Sequence, residues 1–343
     1  MEVDVIDAAD DAVAVRELAA WLRRNEIDLV HAHMYRAEVL GTRAAVAAGT
    51  PVITATVHSS RVRSPEDVAL LADLTPSMDR LIVPSDSIQH KVSCEGRDAA
   101  RFAVIPNGVD LSRFASPLPK CTMRDELDIP RDAQLLGVVA RLEPEKGHRY
   151  LVAAMPAILG SSPDAWLAII GEGSQADALR AQAASLGDVV AGRIVFTGRR
   201  DDVSALTADL TVAVLPSLRE AQGISILEAM ARRRPVVASA VGGIPEVITD
   251  GVDGVLVPPA DPDALARAIV RLLADRVLRE RIGEAGYRTV AERFSIDAQV
   301  KRIESVYDEE LARAGVLAGG RRGEIVRTPH RPSGRGVLEV PPV

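Results

Sequence analysis

TVAVLPSLREAQGISILEAMARRRPVVASA, from Thr211 to Ala240, is the stretch that decides the fold. It opens on a short run of apolar and β-branched residues, passes through a polar loop, and continues into an apolar segment of helical length. It closes on a second short run, PVVASA. Two strand-length runs separated by one helix form a βαβ unit, whose strands lie parallel because the helix carries the chain back to the start of the sheet. Nearly continuous apolar strands of this kind are buried on both faces.

The same alternation extends in both directions. Around the central unit lie LLGVVA (Leu135 to Ala140), AWLAIIG (Ala165 to Gly171), RIVFTG (Arg193 to Gly198) and GVLVP (Gly254 to Pro258). Together with the two runs above they make about six strands, enough for one full doubly wound, Rossmann-like domain. Upstream, IDLVHAH (Ile27 to His33), PVITATVH (Pro51 to His58), RLIVPS (Arg80 to Ser85) and FAVIPNGV (Phe102 to Val109) form a second α/β series. Its first helix carries Val15, Leu18 and Leu22 on one face and starts from Asp10 or Asp11 as cap.

The stretch from Ser116 to Arg131, with three prolines and mixed charge, reads as a connection between domains. Domains are therefore expected over residues 1–118 and 119–294, followed by a helix over 295–314 that crosses back to the first domain. The Gly-, Pro- and Arg-rich residues 315–343 read as a disordered tail.

A net charge of -7 with 3% aromatic residues argues against a nucleic-acid surface, which needs a basic field and stacking rings. Cys94 and Cys121 give neither a disulfide framework nor a metal-ligand spacing, and read as thiols in a reducing compartment. No apolar run reaches the ~18 residues of a membrane span, and the acidic start is unlike a secretion signal, so a cytoplasmic protein is expected.

The chemistry concentrates in two loops. After the strand ending near Leu215, a loop presents Glu220 and a helix opens near Gly223, placing Glu228 about one and a half turns in. The free amides of Gly223, Ile224 and Ser225 at that opening suit an anion such as a phosphate. By itself Glu228 could be a solvated surface residue, but Leu227, Ala229 and Met230 make its helix apolar, where an unpaired carboxylate is costly. In ARLEPEKGHRYL (Ala140 to Leu151), Arg141 stands at the carboxyl edge of a strand, and Lys146 precedes the next helix. Such a pair can neutralise a diphosphate, Arg through its planar fork and Lys as a point charge, although two isolated surface cations would look the same. Asp261 to Asp263, DPD, looks like a metal motif but reads as a helix start, with Asp261 as cap and Pro262 at the first helical position.

These elements resemble the family-4 glycosyltransferases. The likeness rests on EAQGISILE for the family's E-x7-E motif, ARLEPEKG, IIGEGS, VFTGRRDD, VIPNGVD, HAH and TVH, in the family's order as far as about residue 313. The resemblance implies two Rossmann-like α/β domains facing across a cleft (GT-B) and a retaining, metal-independent transfer from a nucleotide-diphosphate sugar, with no further cofactor. It implies that Arg141 and Lys146 hold the diphosphate, and that Glu220 bonds hydroxyls of the donor sugar and Glu228 those of the ribose. Gly223, Ile224 and Ser225 would offer amides to phosphate, Gly198 and Arg199 would lie in the loop that meets the base, and His58 would reach the donor from the opposite domain. For His58 a core or cap histidine is the other reading, and His31 and His33 read as structural. The acceptor implied is a glycan, a lipid-linked molecule or a small molecule; a lipid-linked one would bring the protein to the inner face of the membrane. Oligomeric state is not specified.

Three features depart from the family. Its usual opening strand, glycine-rich turn and helix have no counterpart before DLVHAH, so either the start lies upstream or the N-terminal domain is incomplete. Ala221-Gln222 replaces a small-aromatic pair, and Arg232 to Arg234 replaces a small residue near the helix end. A sugar-nucleotide epimerase of similar architecture and a non-catalytic sugar-nucleotide binder are the alternative readings.

Overall fold

The structure, a computed structural model, describes residues 10–58, 61–115 and 123–316. The chain forms two compact units, one from residues among 1–83, 89–105 and 302 onward, the other from 84–88 and residues among 106–301.

In the first unit, β1 (Leu29–His33), β2 (Val52–Thr56), β3 (Arg80–Val83) and β4 (Phe102–Val104) form a parallel sheet in chain order. Helices Asp11–Arg24 and Tyr35–Ala48 flank β1 in the chain. Asp10 caps the first of these, its carboxylate accepting from the amides of Ala12 and Val13, and Ala19 and Leu22 are its buried residues. Arg97 reaches Glu38 at 2.5 Å through Nη2 and Thr75 Oγ1 at 2.9 Å through Nε, a buried ion pair braced by a second hydrogen bond.

In the second unit, β5 (Gln134–Val139), β6 (Ala165–Ile170), β7 (Ile194–Gly198), β8 (Val212–Leu215), β9 (Val236–Ser239) and β10 (Val255–Val257) form one parallel sheet in the order β10-β9-β8-β5-β6-β7. The period of two is visible in its core. Leu136, Val138, Leu167, Ile169, Val212, Val214 and Val237 pack on one face, and Leu135, Ala168, Ile170, Ala213, Leu215, Val236 and Ala238 on the other. Both faces are thus covered, as a parallel sheet requires. Helix Pro262–Ala274 packs on the first face through Leu265, Ile269 and Leu272, and helix Ile224–Ala231 on the second through Ile226, Leu227 and Met230.

Grouping by contact differs from a division at 118. Residues 106–115 belong with the second unit, where Val109 bridges Ser295 and its amide donates to Phe294 O at 2.8 Å. The connection read over 116–131 is described only from Met123, which is buried with Ile129 in the second unit's core. The helix Ile296–Arg313 passes into the first unit from Arg302, where Val306 packs with Ile82 and Ile105. The start of the chain before residue 10, and the tail apart from Gly315 and Val316, lie outside the described residues.

Candidate active site

In the second sheet the chain runs from β5 outward through β6 to β7, then crosses to β8 and runs outward again through β9 to β10. The order reverses between β5 and β8, and open α/β sheets bind ligands beyond the carboxyl ends of strands at such a point. The two loops that leave β5 and β8 are the Arg141–Gly147 and Pro216–Gln222 segments, so the strand order alone makes neighbours of groups more than seventy residues apart.

Three contacts lock these loops together. Leu218 N donates to Glu145 O at 2.7 Å, and Lys146 Nζ meets Glu220 Oε1 at 2.5 Å. Gly147, at φ 67°, lies so close to the neighbouring loop that a Cβ there would come 2.0 Å from the carbonyl oxygen of Pro216. Gly242, following β9, supports the other side of the loop: a Cβ there would meet Glu220 O at 1.9 Å. Neither site has room for a side chain.

Glu220 is buried, and its Oε1 also accepts from Ser217 Oγ at 3.1 Å. Lys146 therefore carries a charge compensated by one carboxylate oxygen, with its other donors available to an anion. Arg141 is different: its side chain is 69% exposed and donates to Glu145 at 3.1 Å, an exposed pair that costs little to exchange for a ligand. Glu143 ties the same loop to the turn after β6 by accepting from Ser174 N and Oγ, and these bonds hold its carboxyl below the ordinary range. Beneath Lys146, His148 is buried with neither ring nitrogen bonded to a described residue. Burial, with Lys146 adding to it, pushes its pKa down to about 4.

Gly223 is the N-cap of helix Ile224–Ala231. The amides of Gly223, Ile224 and Ser225 donate to no backbone or side-chain acceptor among the described residues, so three N–H groups remain for an anion at this opening. Glu228 lies one turn further along, half-buried, with no donor bonded to its carboxylate among the described residues. Burial raises its pKa, and the guanidinium of Arg113 opposes that shift. Arg113 also donates to Asp201 O at 3.4 Å, in the loop after β7.

That loop resolves which of two adjacent arginines can meet a ligand. Arg200 is held by Glu126 at 2.6 Å and Asp202 at 2.8 Å, which raise its pKa. Arg199 is 71% exposed, and among the described residues its close carboxylate is Asp201 at 3.7 Å. Gly198 accepts the amide of Gly171 at 2.9 Å through its carbonyl, tying the β7 loop to the glycine turn after β6.

Sequence reasoning did not find Arg113 or the role of Gln222. The Gln222 amide clamps Asn107 from both sides, Oε1 accepting Asn107 N at 2.7 Å and Nε2 donating to Asn107 O at 3.1 Å. An amide two residues after the first glutamate, with an Asn-Gly pair far upstream, was the available signal, but only tertiary pairing gives it meaning.

His58 lies in the first unit, just past β2, where its Nε2 is 2.9 Å from His33 Nδ1. His33 lies in turn against His31, with the two rings tilted by 34°; His31 Nε2 is 2.7 Å from Thr56 Oγ1 and its Nδ1 bonds Tyr307 OH. Burial lowers the pKa of all three imidazoles, that of His31 to about 3. Asp261 accepts Ala264 N at 2.8 Å ahead of Pro262, and so acts as a helix cap. Among the described residues no group of three or more His, Cys, Asp or Glu is placed to hold a metal ion, and no helix is long and apolar enough to cross a membrane.

The model for the family described as Glycosyltransferase Family 4 matches residues 7–113, and that for Glycosyl transferases group 1 matches residues 133–275. The chain is 33% identical over 300 residues to a phosphatidyl-myo-inositol mannosyltransferase of Mycolicibacterium smegmatis, covering 84% of this chain and 73% of that one. It is 28% identical over 316 residues to the Escherichia coli UDP-Gal:alpha-D-GlcNAc-diphosphoundecaprenol alpha-1,3-galactosyltransferase, covering 88% and 80%. Among solved structures, Anabaena HepE in complex with UDP-glucose superposes with a TM-score of 0.78 at 25% identity, covering 86% of this chain and 82% of that one. Sucrose-phosphate synthase from Thermosynechococcus elongatus superposes with 0.76 at 26% identity, covering 87% and 77%. Sequence kinship over most of both chains and a shared architecture of two parallel-sheet α/β units (GT-B) lead to one conclusion: the chain belongs to glycosyltransferase family 4 and is a glycosyltransferase.

Proposed function

We propose that the enzyme is a retaining glycosyltransferase that takes a sugar from a nucleotide-diphosphate donor and passes it to a hydroxyl of a glycan, a lipid-linked molecule or a small molecule. The observation that carries this reading is the meeting of the Lys146 and Glu220 loops at the strand-order reversal, beside a helix opening with three uncommitted amides. A diphosphate placed there gains Lys146 and Arg141 on one side and the amides of Gly223, Ile224 and Ser225 on the other. Charge builds on that diphosphate as the glycosidic bond breaks, and preorganised donors stabilise the leaving group without a resident metal ion.

Glu220 then hydrogen-bonds hydroxyls of the donor sugar, with Ser217 and Lys146 fixing its orientation. Glu228 receives the ribose hydroxyls, and Gly198 with Arg199 meets the base. The acceptor oxygen bonds the anomeric carbon on the face from which the diphosphate leaves; the bonding electrons pass to a phosphate oxygen and the acceptor proton follows them. Two relatives support the donor and acceptor classes: HepE was crystallised with UDP-glucose, and the E. coli relative is named for transfer from UDP-Gal to a diphosphoundecaprenol-linked sugar. A lipid-linked acceptor would place this cytoplasmic enzyme peripherally at the inner face of the membrane.

The test is a calorimetric screen of UDP-, GDP- and ADP-sugars, followed by product analysis with the best donor. Transfer with release of nucleoside diphosphate and an unchanged anomeric configuration is expected. Lys146→Ala should lower turnover by about 100-fold or more, the usual cost of losing one transition-state charge donor. Inversion at the anomeric carbon, or turnover unaffected by Lys146→Ala, would reject the proposal.

A further inference from the structure

The turn from Glu220 to Gly223 is anchored residue by residue, each time to a different part of the second unit. Glu220 is held by Lys146 and Ser217. The carbonyl of Ala221 accepts Ser85 Oγ at 2.7 Å, and a Cβ on Gly243 would lie 2.2 Å from it. Gln222 is buried, and both ends of its side-chain amide grip the backbone of Asn107, through Asn107 N at 2.7 Å and Asn107 O at 3.1 Å. Asn107 lies in neither a strand nor a helix, so no ladder serves these two groups. The Gln222 amide supplies one acceptor and one donor, as a neighbouring peptide would in a sheet.

Asn107 is a firm anchor because the segment after it is pinned in turn. Gly108 N donates to Gln299 Oε1 at 2.8 Å, Val109 N to Phe294 O at 2.8 Å, and Ile296 N to Val109 O at 3.0 Å. Gln222 thus ties the loop bearing Glu220 to two segments that brace each other. The next residue, Gly223, leaves the turn at φ 86° and caps helix Ile224–Ala231. The amides of Gly223, Ile224 and Ser225 donate to no acceptor among the described residues, so no bond of their own fixes where they point. Their direction is set by the turn before them and by Ile226, Leu227 and Met230, which seat the helix in the core. We infer that Gln222 is a positioning residue for the donor's diphosphate: by gripping the backbone of Asn107 it fixes the turn that aims these three amides. This deepens the proposed transfer reaction and rests on it for the identity of the anion.

Gln222→Met keeps the length of the side chain and removes both bonds, whereas Gln222→Glu keeps the acceptor for Asn107 N but sets an oxygen against Asn107 O. Ile269→Val, which thins the core on the other face of the sheet, lowers stability without touching the turn. The experiment titrates these variants and wild type, as full chains, with UDP, GDP and ADP and with the nucleoside matching the base that binds best. Gln222→Met should weaken the diphosphate by about tenfold or more, the worth of one hydrogen bond to a charged group, and hold the nucleoside within about twofold. Gln222→Glu should lose diphosphate affinity in the same direction, and Ile269→Val should keep both affinities. In 15N spectra of the free protein the Ser225 amide, three residues from the substitution, should shift in both Gln222 variants. The Asn107 amide should exchange with solvent faster in Gln222→Met than in wild type. Diphosphate and nucleoside affinities that fall together, a diphosphate affinity that does not fall, an equal loss in Ile269→Val, or an unmoved Ser225 amide would overturn the inference. If wild type binds none of the three diphosphates, the transfer reading fails on its own; the Ser225 and Asn107 amides then decide whether Gln222 fixes the turn.

Discussion

Replacing Gly147 by Ala tests the contact on which the active site depends. Two penalties combine there. The backbone sits at φ 67°, which costs an L-residue about 1–2 kcal/mol. The added Cβ would also lie 2.0 Å from Pro216 O, and relieving that contact demands a shift of the whole Pro216 loop, an overpacking cost of about 1–3 kcal/mol. The sum is about 2–5 kcal/mol, or about 5–15 °C in the melting temperature of a unit of this size. Two controls separate the terms. Gly251 has φ 72° but nothing within 4 Å of a Cβ, so Gly251→Ala should carry only the backbone penalty. Gly160 lies inside helix His148–Ser161 with open space around it, so its replacement should stabilise by about 0.5–1 kcal/mol. Differential scanning calorimetry of the three variants, paired with nucleoside diphosphate titrations, reads both outcomes. Gly147→Ala should melt lowest and lose nucleotide affinity, while the two controls keep it. If Gly147→Ala and Gly251→Ala melt together, the two loops do not touch as described and their convergence is refuted.

Glu228→Gln should separate stability from binding. Burial raises this carboxyl above its ordinary 4.5, so the folded state binds its proton more tightly than the unfolded state. Ionising it therefore destabilises the fold as pH rises, and Glu228→Gln should melt higher than wild type near pH 7, with the gain vanishing below about pH 4.5, while sugar-nucleotide affinity falls. For His31 the sign is opposite. Its pKa is lowered from 6.5 to about 3, so the first unit should lose stability progressively as pH falls from 6.5, and denaturant titrations of His31→Asn should show a shallower loss over that window. Arg199→Ala should leave the melting temperature unchanged and weaken nucleotide binding, whereas Arg200→Ala, which frees Glu126 and Asp202, should lower thermal stability. The reverse pattern in paired calorimetry and titration would reassign the base-side loop.

The local alphabet of this protein was legible without coordinates. Each of the ten strands among the described residues matches, to within a residue, a short run read from the chain, because the strands of a parallel sheet are rich in apolar residues where helices cover them. Helix starts at Asp10 and Asp261 were legible for the same kind of reason: a capping carboxylate acts on amides two or three residues away. The segments bearing Arg141, Lys146, Glu220 and Glu228 could be recognised as motifs, since each is a short stretch with its own chemistry.

What local sequence could not supply is adjacency. Periodicity says that a run is a strand but not which strand lies beside it, and it is the β8-β5 pairing that brings Lys146 to Glu220. Register is equally non-local: the β1-β2 alignment joins His33 to His58, and Tyr307, almost three hundred residues away, fixes His31. The choice between Arg199 and Arg200 followed the same rule, being made by Glu126 and Asp202 and not by anything in the arginine pair itself. Burial and capping act over a few residues and leave a trace in the order of the chain, while pairing between distant segments is settled only when the whole sheet and its loops close their contacts together.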